Sequence, residues 1–152
     1  MMEKQPNKKT TLEFFPVEMN SKLGIPMVEA GEVHAGFPSP VQDAYLNQPI
    51  DLNKELVNHP ATTFIVRVTG DSMIDEGIES GDLLLVDRSL YPTYRNLTIC
   101  MLDGEFCIKR IVQKGNKVLL KSGNRKYPPI EVDPLRDFTV WGVVTWVLKK
   151  KT

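Results

Sequence analysis

Only two histidines, His34 and His59, occur among 152 residues. A histidine-based triad or metal centre therefore has little to draw on. Cysteine is as scarce. Cys100 and Cys107 do not make a disulfide framework, and a reducing compartment keeps them as thiols. Charge of one sign is also missing: Lys and Arg number 19, and so do Asp and Glu. That balance removes the global basic field that a nucleic-acid binder uses. The first 35 residues carry four Lys against five Glu, so this part is not a basic arm either. The one basic run, Lys149 to Lys151, reads as a solvated end. No segment approaches the roughly 18 consecutive apolar residues of a membrane span. The opening, MMEKQPNKKTTLEFF, is too polar for a signal peptide. The expectation is a cytoplasmic chain without membrane contact, cofactor or sequence-specific DNA binding.

What is present is a hydrophobic content of 41%, enough for one globular domain with a core and some residues left over for an arm. Seven prolines, Pro6, Pro16, Pro26, Pro38, Pro40, Pro49 and Pro60, punctuate residues 1 to 60. Each removes a donor and biases its predecessor to extended geometry. This part reads as an extended arm with two short helices. One is expected near Ser39 to Leu46, with Ser39 as cap and Pro40 first. The other is expected over Asp51 to Asn58, capped by Asp51. From Thr62 the pattern changes to short strands: TTFIVRV, then GDLLLVD, which is apolar enough to be buried on both faces. LTICMLDGEFCIKRIV holds two strands around Asp103-Gly104, a type I′ hairpin signal. A second hairpin follows at Lys114-Gly115-Asn116, into KVLLKS, and the chain closes with FTVWGVVTWVL. The predicted class is mainly β, a partly closed sheet.

Two residues invite chemistry. Ser72 sits in VTGDSMIDEG, straight after one apolar strand and shortly before another. S-M-I-D has the form of a capping box, with Ser72 as N-cap and Asp75 at the third helical position. A serine there also lies beside free backbone N–H groups suited to a developing oxyanion, so cap and nucleophile both stay open. The G-x-S-x-G elbow is absent, because Met73 and Ile74 follow Ser72. His59 reads as a loop residue before Pro60, so a histidine triad is not favoured. The better base is Lys109. A two-residue turn at Asp103-Gly104 pairs Leu102 with Glu105, Cys100 with Cys107 and Thr98 with Lys109, and puts all six on one face. Among such mostly uncharged neighbours, with Ile111 next along the strand, burial disfavours the charged amine. A neutral amine is what a serine hydroxyl needs as proton acceptor. The alternative is an exposed strand lysine that snorkels to water. Asp71, Asp75 and Glu76 lack an EF-hand spacing and any histidine partner, so no metal is expected.

Taken together, AGFPSP (Ala35 to Pro40), IDLN (Ile50 to Asn53), HP (His59, Pro60), GDSMID (Gly70 to Asp75), GDLL-VD (Gly81 to Asp87), DGEF (Asp103 to Phe106), IKR around Lys109 and WGVV (Trp141 to Val144) resemble the LexA/UmuD family of self-cleaving Ser-Lys proteins, its UmuD branch most closely. The resemblance covers about residues 30 to 150, with its motifs in the same order. It implies a LexA/signal-peptidase-like β fold with an extended N-terminal arm, and a bacterial homodimer of the SOS response. It further implies that the arm is cut when RecA assembles on single-stranded DNA, and that the shortened form joins a Y-family polymerase for translesion synthesis. Carried over by position, Ser72 is the nucleophile and Lys109 the general base. The backbone N–H groups of Asp71 and Ser72 hold the oxyanion, and Ala35-Gly36 is the scissile bond. Residues 1–35 then form the arm removed by cleavage, 36–60 a linker, and 61–152 the peptidase-like domain. Ala35 suits a narrow pocket and Gly36 a turn closed to other residues.

Two departures from the family stand out. Where the family often has a threonine two residues before the base lysine, this chain has Cys107; Thr98, across the hairpin, is placed to supply that hydroxyl. The segment before Ala35 is longer than the UmuD branch leads one to expect. A LexA-type repressor would need a helix-turn-helix before the cut, which a segment carrying Pro6, Pro16 and Pro26 does not supply. A signal peptidase would need a membrane anchor. The competing function is a non-catalytic adaptor of the same fold that only binds a polymerase.

Overall fold

The computed structural model describes residues 10–21, 24–26 and 49–152. His34, the Ala35-Gly36 bond and the helix expected over Ser39 to Leu46 lie outside the described residues. The chain divides into two compact units, residues 1–17 with 61–152, and residues 18–60.

The larger unit is an eight-stranded antiparallel sheet in the order β1-β4-β5-β10-β6-β7-β8-β9. Its strands are β1 (Thr11–Pro16), β4 (Thr63–Thr69), β5 (Leu83–Asp87), β6 (Leu97–Leu102), β7 (Glu105–Lys114), β8 (Lys117–Lys121), β9 (Ile130–Val132) and β10 (Phe138–Leu148). β5 runs LLLVD and is buried along nearly its whole length, because β4 and β10 flank it on both sides. β10 pairs with β6 through residues 138–143 and with β5 through residues 143–148, so one strand joins the two halves of the sheet. The sheet then curls until its first strand meets β7: the Phe14 ring lies 4.7 Å from that of Phe106. Inside the curl pack Val66, Val68, Met73, Ile78, Leu84, Val86, Ile99 and Ile108, with Leu12, Phe14, Phe106 and Trp141 closing over them. The expected mainly β, partly closed sheet is what the chain forms.

The smaller unit holds a two-stranded sheet of β2 (Gly24–Pro26) and β3 (Pro49–Asp51), followed by one short helix, α1 (Leu52–Leu56). Asp51 caps α1 as the sequence predicts, its side chain accepting from the Asn53 N–H at 3.0 Å. The Asn53 amide in turn donates to the Ser21 carbonyl at 2.7 Å.

Residues 11–16 were expected to carry no regular element, yet they form β1, paired through six residues with β4. Pro16 stands at the end of this strand, on the sheet edge, where a missing N–H breaks no ladder. Among the described residues no helix is long and apolar enough to cross a membrane.

β10 accommodates its two partners through register shifts at Val140/Gly142 and Val144/Trp146. Gly142 permits the first of these, since a Cβ there would meet Val86 Cγ1 at 2.7 Å and the Asp87 carbonyl at 3.3 Å. Gly142→Ala is therefore expected to destabilise the sheet by about 1–3 kcal/mol. Urea unfolding followed by tryptophan fluorescence measures it, and an unchanged midpoint would remove this packing constraint.

Candidate active site

The β6–β7 hairpin has the register expected from its two-residue turn: Thr98 faces Lys109, Cys100 faces Cys107, and Leu102 faces Glu105. Asp103 and Gly104 take φ of 51° and 83°, the two positive values a type I′ turn requires. Lys109 consequently stands near the middle of the sheet and is only 9% exposed. Burial holds its amine below the ordinary lysine range, the effect opposed by the neighbouring thiols of Cys107 and Cys100. Burial also pushes the Cys100 thiol up to about 11, and raises that of Cys107. Near neutral pH both sulfurs thus stay protonated, and their pull on the amine is weak.

Thr98 does not reach the amine. Its hydroxyl donates to the Lys109 main-chain carbonyl at 2.8 Å and lies 3.1 Å from the Cys100 sulfur. The hydroxyl that receives the Lys109 Nζ belongs to Ser122, itself 6% exposed. Thr98 is a strand residue whose χ1 is spent on its own ladder partner. Ser122 follows the end of β8, and the turn there points its side chain inward. An amine that donates to Ser122 keeps its lone pair for another proton.

Ser72 lies in the turn between β4 and a single 3₁₀ turn over Ile74–Glu76. The capping box does not form. The residue before that 3₁₀ turn is Met73, and it makes no side-chain cap. Met73 instead is buried to 1% and acts as the anchor of the turn, with its sulfur accepting the Gly123 N–H at 3.1 Å.

The loop after β8 is bolted to this turn at several points. Asn124 Nδ2 donates to the Asp71 carbonyl at 2.7 Å, the Asp75 N–H to the Gly123 carbonyl at 2.6 Å, and the Tyr127 hydroxyl to Asp71 Oδ1 at 2.9 Å. Gly123 is required for so close an approach, because a Cβ there would lie 2.4 Å from Glu76 Cγ. The carboxylates of this turn are held by neighbouring groups. Asp71 meets Tyr127, Asp75 accepts from the Arg125 N–H, and Glu76 is held by both Nε and an NH₂ of Arg110.

In a trans peptide the C=O of one residue and the N–H of the next point in opposite directions. Fixing the Asp71 carbonyl with Asn124 therefore fixes the direction of the Ser72 N–H. That N–H is directed at Thr10, whose Oγ1 accepts it at 3.3 Å. Ser72 and Lys109 line one cleft of about 340 Å³, together with Thr10, Cys107, Phe106 and Tyr127. The arrangement brings a serine, a buried amine of lowered basicity and a main-chain donor to one cleft. Those are the types of group that a nucleophile, a general base and an oxyanion site require.

Ser122, Asn124 and Tyr127 were not singled out from the sequence. The stretch SGNRKYPP reads as turn chemistry, and nothing local says that it folds back on GDSMID some 50 residues earlier.

Residues 26–145 match the model of the family described as Peptidase S24-like. The chain is 41% identical over 116 residues to Protein SamA of Salmonella typhimurium, covering 76% of this chain and 79% of SamA. It is 38% identical over 114 residues to Protein MucA of Escherichia coli, covering 74% and 77%. To a LexA repressor of Shewanella sp. it is 35% identical over 133 residues, covering 87% of this chain and 63% of the repressor.

If Ser122 aims the amine, Ser122→Ala should slow labelling of Ser72 by a fluorophosphonate about tenfold, the worth of one hydrogen bond of about 1.5 kcal/mol. Ser122→Thr should retain the rate. Mass mapping of the labelled residue checks both, and equal rates for Ala and wild type would deny Ser122 that role.

Proposed function

Because this chain belongs to the Peptidase S24-like family, we infer that it is a self-cleaving serine endopeptidase of the Ser-Lys type that works in bacterial SOS mutagenesis. The observation that carries this inference is the shared cleft of Ser72 and the buried Lys109. Similarity to MucA and SamA, beside the resemblance to the LexA/UmuD family, supports the SOS assignment.

The chemistry follows from the groups in the cleft. Ser72 Oγ attacks the scissile carbonyl carbon while its proton passes to neutral Lys109 Nζ. The carbonyl oxygen becomes an oxyanion and is held by the main-chain N–H of Ser72, with that of Asp71 beside it. Collapse breaks the C–N bond, and Lys109 returns the proton to the departing amine. Water then hydrolyses the Ser72 ester, with Lys109 again taking a proton, and the serine is restored. A general base of this kind contributes about 10²–10⁴-fold. A tethered substrate adds effective molarities of about 10⁵–10⁸ M when well oriented, so a bare dyad suffices for a single turnover.

The scissile bond is Ala35-Gly36. Cleavage separates residues 1–35 from a linker (36–60) and the body (61–152). RecA on single-stranded DNA acts by favouring the cleavable pose, which is a population shift. The processed form works in the cytoplasm as a homodimer and as the accessory subunit of a Y-family polymerase. Exposed Trp146, Val147 and Leu148 at the end of β10 supply apolar surface for such contacts. An adaptor without chemistry has no use for a lysine buried at this cost, which favours the peptidase.

Incubation of the purified chain with RecA, single-stranded DNA and a nucleotide should yield a product that begins at Gly36 and ends at Thr152, identified by intact mass. Ser72→Ala should yield none while keeping its circular dichroism. A product with another N-terminus would reject Ala35-Gly36, and an intact chain under every condition would leave the adaptor.

Without a partner, cutting should accelerate as the pH is raised and level off once Lys109 is mostly neutral. Its half-point should fall below the ordinary lysine value of about 10.4, since burial lowers this amine. A histidine base would level off near 6.5. Lys109→Arg should be inactive, because guanidinium keeps its proton. A rate flat above neutrality, or an active Lys109→Arg protein, would remove Lys109 from the mechanism.

A further inference from the structure

The Ser72 N–H is already engaged from within the chain, and the segment that engages it also occupies the strand edge next to it. β4 leads directly into the Ser72 turn, and without β1 it would be the free edge of the sheet. β1 covers that edge from Thr11↔Thr69 to Pro16↔Phe64. Alternate residues of β1, Leu12 and Phe14, turn inward against the core. Phe14 lies 4.7 Å from the Phe106 ring and 4.8 Å from that of Trp141. Between them Glu13 faces outward toward Arg67, at 4.0 Å. Just before the strand, Thr10 crosses over Gly70 so closely that a Cβ there would lie 2.5 Å from Thr10 Cα. Gly70 has φ of 117°, so a side chain is disfavoured on both counts. From there Thr10 Oγ1 takes the Ser72 N–H and enters the cleft with Lys109.

A strand edge, an apolar seat and an oxyanion donor therefore lie in line, and all three are filled by Thr10–Pro16. They are also what an extended peptide needs when it is laid beside Ser72. Main-chain pairing to an edge gives affinity, alternate side chains give specificity, and the donor meets the carbonyl. We propose that the β4 edge is the peptide-binding groove of this site and that β1 is its built-in blocking strand. The ligand class is an extended peptide with apolar residues at alternate positions. While β1 is docked, the Ser72 N–H faces a threonine hydroxyl and not a scissile carbonyl. Cutting requires β1 to leave, or at least Thr10 to withdraw. The effect on rate rests on Ser72 being the nucleophile; the groove itself does not. While tethered, β1 is present at an effective concentration of order millimolar. A cut between Pro16 and Ala61 turns it into a free fragment at its bulk concentration, so the groove empties on dilution and the β4 edge opens to another strand.

The test uses the full chain. Leu12→Glu/Phe14→Glu should cut itself about fivefold faster than wild type at one pH, as expected if the open form is the minor one. A Glu13→Cys/Arg67→Cys pair, both positions exposed and facing in register, should lock β1 when oxidised. The oxidised protein should cut about tenfold more slowly than the same protein after reduction, with the crosslink confirmed by mass mapping. Equal rates in the two redox states would overturn the block. Where the Glu variant loses its fold, the crosslink still decides.

The groove has its own measurement, independent of chemistry. A labelled peptide of residues 10–17 should bind the Leu12→Glu/Phe14→Glu/Ser72→Ala chain in fluorescence anisotropy, and the same peptide with Leu12→Glu should not. Absence of binding overturns the groove. Binding without any cutting by wild type keeps the groove and rejects the peptidase.

Discussion

Lys109 runs its stem through the sheet and ends against Ser122 with 9% of its surface exposed. Water is largely shut out there, and a charged amine resists that setting. The lysine is kept in place by the β6–β7 ladder, whose register is set at the Asp103-Gly104 turn and cannot slip without turning every side chain over. The surrounding groups do not restore the charge. Cys100, pushed up to about 11, and the likewise raised Cys107 stay neutral near pH 7. The same burial that would be a liability in a purely structural residue favours the neutral amine, the form that a general base needs.

Lys109 and Ser72 line one cleft yet come from distant parts of the chain. The coupling runs through residues 122–127. Ser122 receives the lysine, Gly123 admits the Met73 and Glu76 side chains, Asn124 holds the Asp71 carbonyl, and Tyr127 holds the Asp71 carboxylate. One loop thus orients the amine and, through the Asp71–Ser72 peptide plane, the Ser72 N–H. Met73, buried beside the serine, ties the same turn to the core. Thr10, just before β1, lines the same cleft.

Much of this was legible in the residues. Asp103-Gly104 between apolar runs specified the hairpin, and the hairpin specified that Thr98 lies opposite Lys109. Local geometry and a period of two were sufficient, with no long-range information. LLLVD announced a strand buried on both faces. Asp51 announced a cap. What escaped depended on contacts between segments far apart. TLEFFP, flanked by prolines in a polar stretch, gains its strand only from the β4 edge some 50 residues later. Ser122 and Asn124 belong to a stretch whose composition signals only a turn. The hairpin register pointed to Thr98 as the hydroxyl for the amine, whereas the amine meets Ser122. Thr98 spends its hydroxyl on the Lys109 carbonyl instead. The capping box at Ser72 failed for a related reason: burial of Met73 shifts the start of the 3₁₀ turn, leaving the serine outside it.

Burial lowers the basicity of one amine among the lysines of this chain, that of Lys109. Selective ¹³C labelling at lysine Cε, with each resonance followed against pH by NMR and Lys109 assigned by its loss in Lys109→Arg, observes that amine directly. Lys109 should titrate clearly below the solvated lysines, whose ordinary value is about 10.4. A Lys109 resonance that moves together with theirs would mean a charged, hydrated side chain at neutral pH, and would contradict its role as the base for Ser72.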